Sequence, residues 1–183
     1  MTNGRGWTLL RAVTVLLIAI LSLFGLGSAQ AKIVVASTAA IDADDATVTG
    51  VVAMFERAEQ AVKAHDLETL LSFYSSQYNY HGLKKDDVRK IWKDLFDEYK
   101  EIASTHLFSK IAKVGSGSQT VVEVTCTGHL WAVSKTSKLY VPIDSWHEEV
   151  HFVVFEDGGW RIRGNVGESP RVLPFGTAPH PLF

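Results

Sequence analysis

The order of amphipathic patterns along the 183-residue chain predicts an α+β fold. Three segments with apolar residues at three- and four-residue spacing come first, which is the period of a helix face. Segments in which apolar and polar residues alternate follow, and this alternation is typical of half-buried strands. The last two strands are predicted to form a hairpin from Trp146 to Asn165 around the turn Asp157-Gly158-Gly159. The sequence therefore predicts three N-terminal helices packed on an antiparallel sheet.

The first 31 residues have the features of a secretory signal peptide. Arg5 and Arg11 precede an apolar run from Ala12 to Phe24, and Ala29-Gln30-Ala31 supplies the small residues of a cleavage site. No cysteine lies near the end of this run, which excludes a lipoprotein. We expect cleavage after Ala31, a periplasmic or secreted location and no stable membrane span in the mature chain. The alternative is an uncleaved N-terminal anchor.

Charge and cysteine content narrow the class of partner. Two of the 18 Lys and Arg residues and none of the 20 Asp and Glu residues lie in the predicted signal peptide, so the mature chain would carry a net charge of −4. This mild acidity, spread along the chain, offers no basic patch or stripe, and we therefore predict no nucleic-acid partner. The single cysteine, Cys126, lies in an apolar strand pattern and is interpreted as a small buried side chain.

The helical segments follow the predicted signal peptide. Residues 32–46 have no hydrophobic period and are predicted to be a flexible lead-in, after which the first helix runs from Thr47 to about His65. Asp66 is a suitable N-cap for a second helix that extends to Tyr78, and the third helix runs from about Lys84 to Tyr99. The aromatic residues on the three apolar stripes are Phe55, Tyr74, Tyr78, Trp92, Phe96 and Tyr99.

The strand segments occupy the rest of the chain. Two strands are predicted between Ile102 and Val114 and between Thr120 and Val133. In the second of these the even positions are apolar and form the inner face, whereas the odd positions are mostly polar but include Trp131. A large aromatic side chain in a polar stripe is a plausible interface anchor, so we predict a homodimer through the outer sheet face. The Pro-rich residues 169–183 are predicted to be an extended tail.

The hairpin can adopt two registers, and they place different side chains inside. A three-residue turn puts Trp160 and Ile162 on the face of the even residues, which include Trp146 and Glu148. A two-residue turn instead puts them with Phe155 and the other odd residues. We favour the three-residue turn, which predicts that the Glu148 carboxylate lies on the cavity side. Its alternative position is the solvated rim of the strand.

Four features of the sequence carry a resemblance to a known family. They are Phe55, the run Ala64 to Glu68, the segment Tyr78 to Gly82 and the turn Asp157 to Ile162. Together they resemble the nuclear transport factor 2-like superfamily, which includes SnoaL-like and ketosteroid isomerase-like domains, over residues 47–168. The resemblance implies a strongly curved antiparallel sheet that forms a cone with a central pocket. The catalytic Asp and Tyr set of the isomerase-like members has no recognisable counterpart in this chain.

Residues that would project into such a pocket define the predicted ligand site. The predicted ligand-binding residues are Tyr78, Tyr80, Trp92, Trp146 and Glu148. No catalytic residue and no cofactor is predicted. His147, Glu149 and His151 alternate along one strand face, but ligands spaced along an extended strand do not converge on a tetrahedral metal ion. We therefore interpret these three as a solvated face or an oligomer surface and predict no metal site.

Two functions are compatible with these predictions. The first is an exported domain that binds a small hydrophobic or amphipathic molecule in an accessory or binding role. The alternative is a small acid/base enzyme of the isomerase, cyclase or hydrolase type that uses a pocket carboxyl. A single isolated carboxyl in the pocket would favour the first, and several convergent polar groups would favour the second.

Overall fold

In the computed structural model of the protein, residues 32–80, 82–114 and 120–164 are described. Within these ranges the chain forms three helices and seven strands, and the strands make one curved, unclosed sheet. The helices are α1 (Asp45–Ala64), α2 (Leu67–Ser72) and α3 (Lys85–Glu98). The strands are β1 (Lys32–Asp42), β2 (Tyr74–Tyr80), β3 (Leu83–Lys84), β4 (Tyr99–Val114), β5 (Val121–Ser134), β6 (Tyr140–Glu156) and β7 (Gly159–Gly164).

The sheet has the strand order β1-β4-β5-β6-β7-β2-β3. The long strands β4, β5 and β6 are antiparallel neighbours, as the sequence predicts. Two pairs are parallel, β1 with β4 and β2 with β7, so the expectation of a wholly antiparallel sheet is wrong. Both parallel pairs include a strand from the N-terminal half, where the sequence predicts no strand. The α+β class is confirmed, and the cone with a central pocket stays a prediction.

The first and third helices form where the apolar period predicts them. Asp44 caps α1 by accepting a hydrogen bond from the Thr47 amide at 2.8 Å, and α1 ends at His65, whose φ of 55° breaks the helical path. Helix α3 buries the stripe of Val88, Trp92 and Phe96. These stripes pack against one face of the sheet, called the inner face here. None of the described helices is long and apolar enough to cross a membrane.

The second predicted helix is much shorter than expected. Asp66 caps it as predicted, accepting from the Thr69 amide at 3.1 Å, but the helix ends at Ser72. Residues Tyr74–Tyr80 instead form strand β2 beside β7. Tertiary packing overrides the helical pattern because Tyr74, Tyr78 and Tyr80 all become buried when this segment is a strand.

The predicted flexible lead-in is also wrong for most of its length. Lys32–Asp42 is strand β1, which pairs with β4 from Lys32↔Thr105 to Asp42↔Ala112. As an edge strand it is largely exposed, so its residues need no clean apolar alternation. Backbone hydrogen bonds to β4 hold these residues in an extended strand, and the amino-acid composition of the segment gives no sign of this pairing. The predicted signal peptide and the Pro-rich tail lie outside the described residues.

The β6–β7 hairpin has the register that the sequence analysis did not favour. Asp157 and Gly158 form a two-residue turn with φ values of 50° and 75°, and Phe155 pairs with Trp160. An Asp-Gly pair with two positive φ angles is the preferred sequence for such a turn, because its twist matches that of the strands. Val153 therefore pairs with Ile162, and both are fully buried.

A β-bulge in β6 reverses the alternation of side chains part-way along this strand. Trp146 pairs with Gly128 and Glu149 pairs with Cys126, so two residues of β6, His147 and Glu148, oppose one residue of β5. Glu148 has a φ of 51°, and its amide donates to the Thr127 hydroxyl at 2.9 Å. Because of the bulge, Trp146 and Glu149 both face inward although they are three residues apart.

The alternation predicted for β5 is confirmed. Its even residues Val122, Val124, Cys126 and Leu130 are at most 1% exposed, while His129 on the opposite, outer face is exposed and Trp131 is partly exposed. On that outer face His129, Trp131 and Tyr140 form a row of neighbouring rings. The homodimer through this face stays a prediction.

Candidate functional site

One group of polar side chains lies on the inner face where α1 crosses β4. Glu59 of α1 accepts a hydrogen bond from the Ser104 hydroxyl, and Nε2 of His106 lies 2.7 Å from Ser104 Oγ and 3.2 Å from Glu59 Oε1. Glu59, Ser104 and His106 are at most 5% exposed. Within the described residues, Glu59 Oε2 is buried and has no hydrogen-bond partner. We call these three residues the Glu59 cluster.

Cys126 and Trp146 border the Glu59 cluster on the next two strands. Cys126 Sγ lies 3.6 Å from His106 Nδ1, and Trp146 Nε1 donates to the sulfur at 3.2 Å. Burial raises the pKa of the Cys126 thiol to about 12. The thiol is therefore protonated at neutral pH and is not prepared to act as a nucleophile, although the His106 imidazole lies next to it.

A second group lies beside the first, between β6 and β2. The Tyr80 hydroxyl donates to the Glu149 carboxylate, and the Tyr80 ring lies near the His151 ring with centroids 6.0 Å apart. Tyr80 and His151 are at most 1% exposed, whereas Glu149 is only partly buried. We call Tyr80, Glu149 and His151 the Tyr80 cluster. Since Glu149 is the cross-strand partner of Cys126, the two clusters are neighbours on the inner face.

Aromatic side chains fill the space between these polar groups and the helices. Trp92 Nε1 donates to the Tyr74 hydroxyl at 3.0 Å, and the Tyr74 and Tyr78 rings meet edge to face at 5.1 Å. Burial raises the pKa of both Tyr74 and Tyr78 well above the usual phenol value, and the nearby Glu59 carboxylate raises the pKa of Tyr74 further. These hydroxyls therefore stay protonated at neutral pH and can donate hydrogen bonds.

Four of the five predicted site residues lie inside the protein. Tyr78, Tyr80, Trp92 and Trp146 are between 0% and 6% exposed, and all four belong to the buried core. Their predicted role in ligand binding stays a prediction. Tyr78 and Tyr80 project from strand β2 and not from a helical segment.

The predicted position of Glu148 is wrong. Its side chain is exposed on the outer face, where the carboxylate accepts from the Ser109 hydroxyl at 3.0 Å and from the Thr127 hydroxyl at 3.3 Å. The bulge and the two-residue turn together turn Glu148 outward and Glu149 inward. The interpretation of Glu149 and His151 as a solvated face is wrong for the same reason.

The sequence carried signals for some of the residues that were missed. With the two-residue turn, counting back by two from Val153 places His151 and Glu149 on the inner face. Glu59 lies four residues after Phe55 on the buried stripe of α1, so helical spacing alone brings it inside. In the described ranges no three His, Cys, Asp or Glu side chains are grouped so that they could hold a metal ion.

The arrangement combines apolar walls with a small number of polar groups. Two carboxylates, Glu59 and Glu149, each accept a hydrogen bond from a neutral hydroxyl. The His106 imidazole lies within reach of Glu59, and the His151 ring lies beside the Tyr80 ring. A carboxylate next to a phenol or an imidazole can orient a polar ligand group or exchange a proton with it. The aromatic rings around them would contact the apolar part of the same molecule.

Comparison with solved structures confirms the fold. The structure of a conserved protein from Planctomyces limnophilus DSM 3776 matches with a TM-score of 0.51 and 12% sequence identity, over 66% of this chain and 94% of that chain. This match and the order of three helices, interrupted by β2 and β3, before a long curved sheet bear out the resemblance inferred from the sequence. The fold is nuclear transport factor 2-like.

Other solved structures match with lower TM-scores. A putative dehydratase from the NTF2-like family of Streptomyces avermitilis has a TM-score of 0.46 and 15% identity, over 67% of this chain and 95% of that chain. Bd1075 of Bdellovibrio bacteriovorus has a TM-score of 0.44 and 17% identity, over 66% of this chain, which spans only 39% of the Bd1075 chain. No family model and no curated protein matches the sequence. At 12% identity, the match to the Planctomyces limnophilus protein is evidence for the fold alone.

Proposed function

We propose that the protein is an exported domain that binds a small hydrophobic or amphipathic molecule inside the nuclear transport factor 2-like fold, in an accessory or binding role. The observation that carries the proposal is the Tyr80 cluster. Its carboxylate, on Glu149, is partly exposed, while its phenol and imidazole are buried with their ring centroids 6.0 Å apart. A molecule entering beside Glu149 would therefore meet a polar anchor first and apolar walls beyond it.

The chemistry of this entrance defines the kind of ligand that fits. Glu149 accepts hydrogen bonds, so a ligand hydroxyl or amine is the group it would hold. Beyond it, Tyr78 and Trp92 offer ring faces and edges to an apolar body. These rings are at most 2% exposed, so the bound molecule would take up space that they now occupy, and the rings would have to move apart to admit it.

A small acid/base enzyme is the second candidate, and one observation favours it. The Glu149 carboxylate is hydrogen-bonded to the Tyr80 phenol, with the His151 ring beside that phenol, where the sequence analysis expected the isolated carboxyl of Glu148. In such an enzyme Glu149 would accept a proton from the substrate, and Tyr80 would donate a hydrogen bond to the oxygen on which charge develops. Turnover of the bound molecule would distinguish this candidate from a binding domain.

Mass spectrometry of the purified protein tests the proposal directly. Protein isolated from a bacterial host under native conditions is extracted with organic solvent, and the extract is compared with that of a mock purification. We expect one hydrophobic or amphipathic molecule in an amount close to one per protein chain. Protein that carries no such molecule, and whose unfolding temperature is unchanged by a lipid and metabolite extract of the host, contradicts the binding role.

The export part of the proposal can be tested on the same sample. Lys32 already pairs with Thr105 in the sheet, so cleavage after Ala31 would leave strand β1 whole. The intact mass is expected to correspond to a chain that begins near Lys32, recovered in soluble form. A chain that retains Met1 and is found in the membrane fraction contradicts cleavage and favours the anchor.

A further inference from the structure

A cleft outside the Tyr80 and Glu59 clusters is lined by residues that, apart from Tyr78, the proposed function does not use. It has a volume of about 700 Å³ and lies where β2 and β7 meet the start of α3. The residues that bear on its chemistry are Ser76, Asn79, Lys84, Lys85, Asp86 and Arg163. None of them belongs to the Tyr80 cluster or the Glu59 cluster, so the cleft is a separate feature of the surface.

Positive charge predominates in this cleft. Lys84, Lys85 and Arg163 line it, and Asp86 is the one carboxylate among its lining residues. No ion pair between described residues includes any of the three cations. Three unpaired cations around one concave surface repel one another, and a bound anion would remove that repulsion.

One cation and one carboxylate next to the cleft modify its positive charge. Arg161 lies near Lys85, and burial together with the Arg161 charge lowers the pKa of Lys85. The nearby Glu156 carboxylate is engaged by β2, because it accepts from the Ser75 hydroxyl at 2.9 Å and from the Ser76 amide at 3.0 Å. Glu156 therefore offsets part of the positive charge without pairing directly with a cation of the cleft.

One lining side chain is already held in place, and another has an unsatisfied polar atom. Lys85 Nζ donates to the Tyr74 carbonyl at 2.8 Å, which fixes the ammonium group beside β2. Asn79 Oδ1 is buried and lacks a hydrogen-bond partner among the described residues. A buried amide oxygen without a donor costs free energy, so a ligand that supplies a hydroxyl there would be favoured.

We propose that this cleft binds a small oxyanion, with a phosphate group held by Arg163 and the two lysines and a hydroxyl of the same molecule donating to Asn79. Guanidinium groups form two parallel hydrogen bonds with phosphate oxygens, and lysine adds a mobile point charge. A hydroxylated phosphate monoester combines both features. The site uses none of the polar groups of the Tyr80 and Glu59 clusters and shares only Tyr78 with the interior ligand site.

Isothermal titration calorimetry at low ionic strength tests this site with three probes: inorganic phosphate, glycerol 3-phosphate and glycerol. We expect glycerol 3-phosphate to bind more tightly than phosphate, and glycerol not to bind. Arg163→Gln is expected to weaken glycerol 3-phosphate binding about tenfold or more, because a hydrogen bond to a charged group is lost. Lys84→Gln should also weaken binding and serves as the second variant if Arg163→Gln lowers the stability of the fold.

Lys93→Gln is the matched control for these variants. Lys93 is an exposed lysine of helix α3 that does not line the cleft, and it pairs with Asp97. Its substitution removes one positive charge and is expected to leave the affinity unchanged. The site is contradicted if the wild-type protein binds neither anion, or if Lys93→Gln weakens binding as much as Arg163→Gln. Equal affinities for phosphate and glycerol 3-phosphate contradict the role of Asn79.

Discussion

Replacing Gly128 with alanine is expected to destabilise the protein by about 1–3 kcal/mol or more. A Cβ atom at this position would lie 2.0 Å from the Thr105 carbonyl oxygen and 2.6 Å from the ring of Trp146. Neither neighbour can yield easily, because the carbonyl belongs to the backbone of β4 and Trp146 is 6% exposed and packed against His106 and Cys126. The backbone of β4 and β5 would have to separate locally.

The measurement is the free energy of unfolding from urea titration followed by tryptophan fluorescence. Gly159→Ala is the matched control, since its Cβ would approach only the mobile end of Arg161, at 3.1 Å. We expect this control to change the free energy of unfolding by no more than about 0.5 kcal/mol. An equally small change for Gly128→Ala would show that Trp146 does not pack over Gly128 as described.

Raising the pH above 10 is expected to destabilise the protein steeply. The pKa values of Tyr74 and Tyr78 are raised in the folded state, mainly by burial, whereas the unfolded chain has phenol pKa values of about 10. Below pH 10 both states hold these protons and the stability is fully present. Above it the unfolded state releases protons that the folded state retains, so the free energy of unfolding falls by about 1.4 kcal/mol per pH unit for each tyrosine.

The sum of these effects is large. By about pH 11 the two tyrosines together would remove about 3 kcal/mol of stability. Burial raises the pKa of the Cys126 thiol to about 12. Its titration therefore also lowers the free energy of unfolding as the pH rises, and this loss begins at a lower pH than that of the tyrosines. Urea unfolding at a series of alkaline pH values measures the loss. Tyr78→Phe is expected to reduce the pH dependence by about 1.4 kcal/mol per pH unit, and a variant with the wild-type pH dependence would contradict the burial of the Tyr78 hydroxyl.

The sequence predicts those parts of the fold in which a single period decides the structure. Helices α1 and α3 each have an uninterrupted apolar stripe, and β5 alternates cleanly, so burial follows directly from spacing. The Asp66 cap is likewise local chemistry, since its carboxylate reaches the Thr69 amide three residues ahead. These elements could be placed within a few residues because neighbours in sequence determine them.

Strands β1 and β2 could not be predicted because distant partners determine them. The residues of β1 owe their order to backbone pairing with β4, which leaves little trace in an edge strand. In β2 the spacing of Tyr74 and Tyr78 fits a helical stripe as well as one face of an irregular strand. Only the presence of β7 as a parallel neighbour decides between the two.

The site depends on a feature that sequence periodicity cannot show. The bulge at His147 and Glu148 inserts one residue into β6. Even-numbered side chains therefore face inward before the bulge, and odd-numbered side chains face inward after it. Counting from the Asp157-Gly158 turn places Glu149 inside, whereas counting from Trp146 places Glu148 inside. The conflict between these two counts is resolved by the Thr127 hydroxyl, which accepts the hydrogen bond of the bulged amide.

The interior role of Glu149 is tested most directly by the amount of co-purified molecule in two charge-matched variants. Glu149→Gln keeps the size of the side chain but removes the charge that Tyr80 contacts, and Glu148→Gln makes the same change on the outer face. We expect Glu149→Gln to retain about a tenth or less of the wild-type amount, which corresponds to about 1.4 kcal/mol, and Glu148→Gln to retain all of it. Loss of the molecule from Glu148→Gln, with full retention by Glu149→Gln, would contradict the inward position of Glu149 and the ligand site built on it.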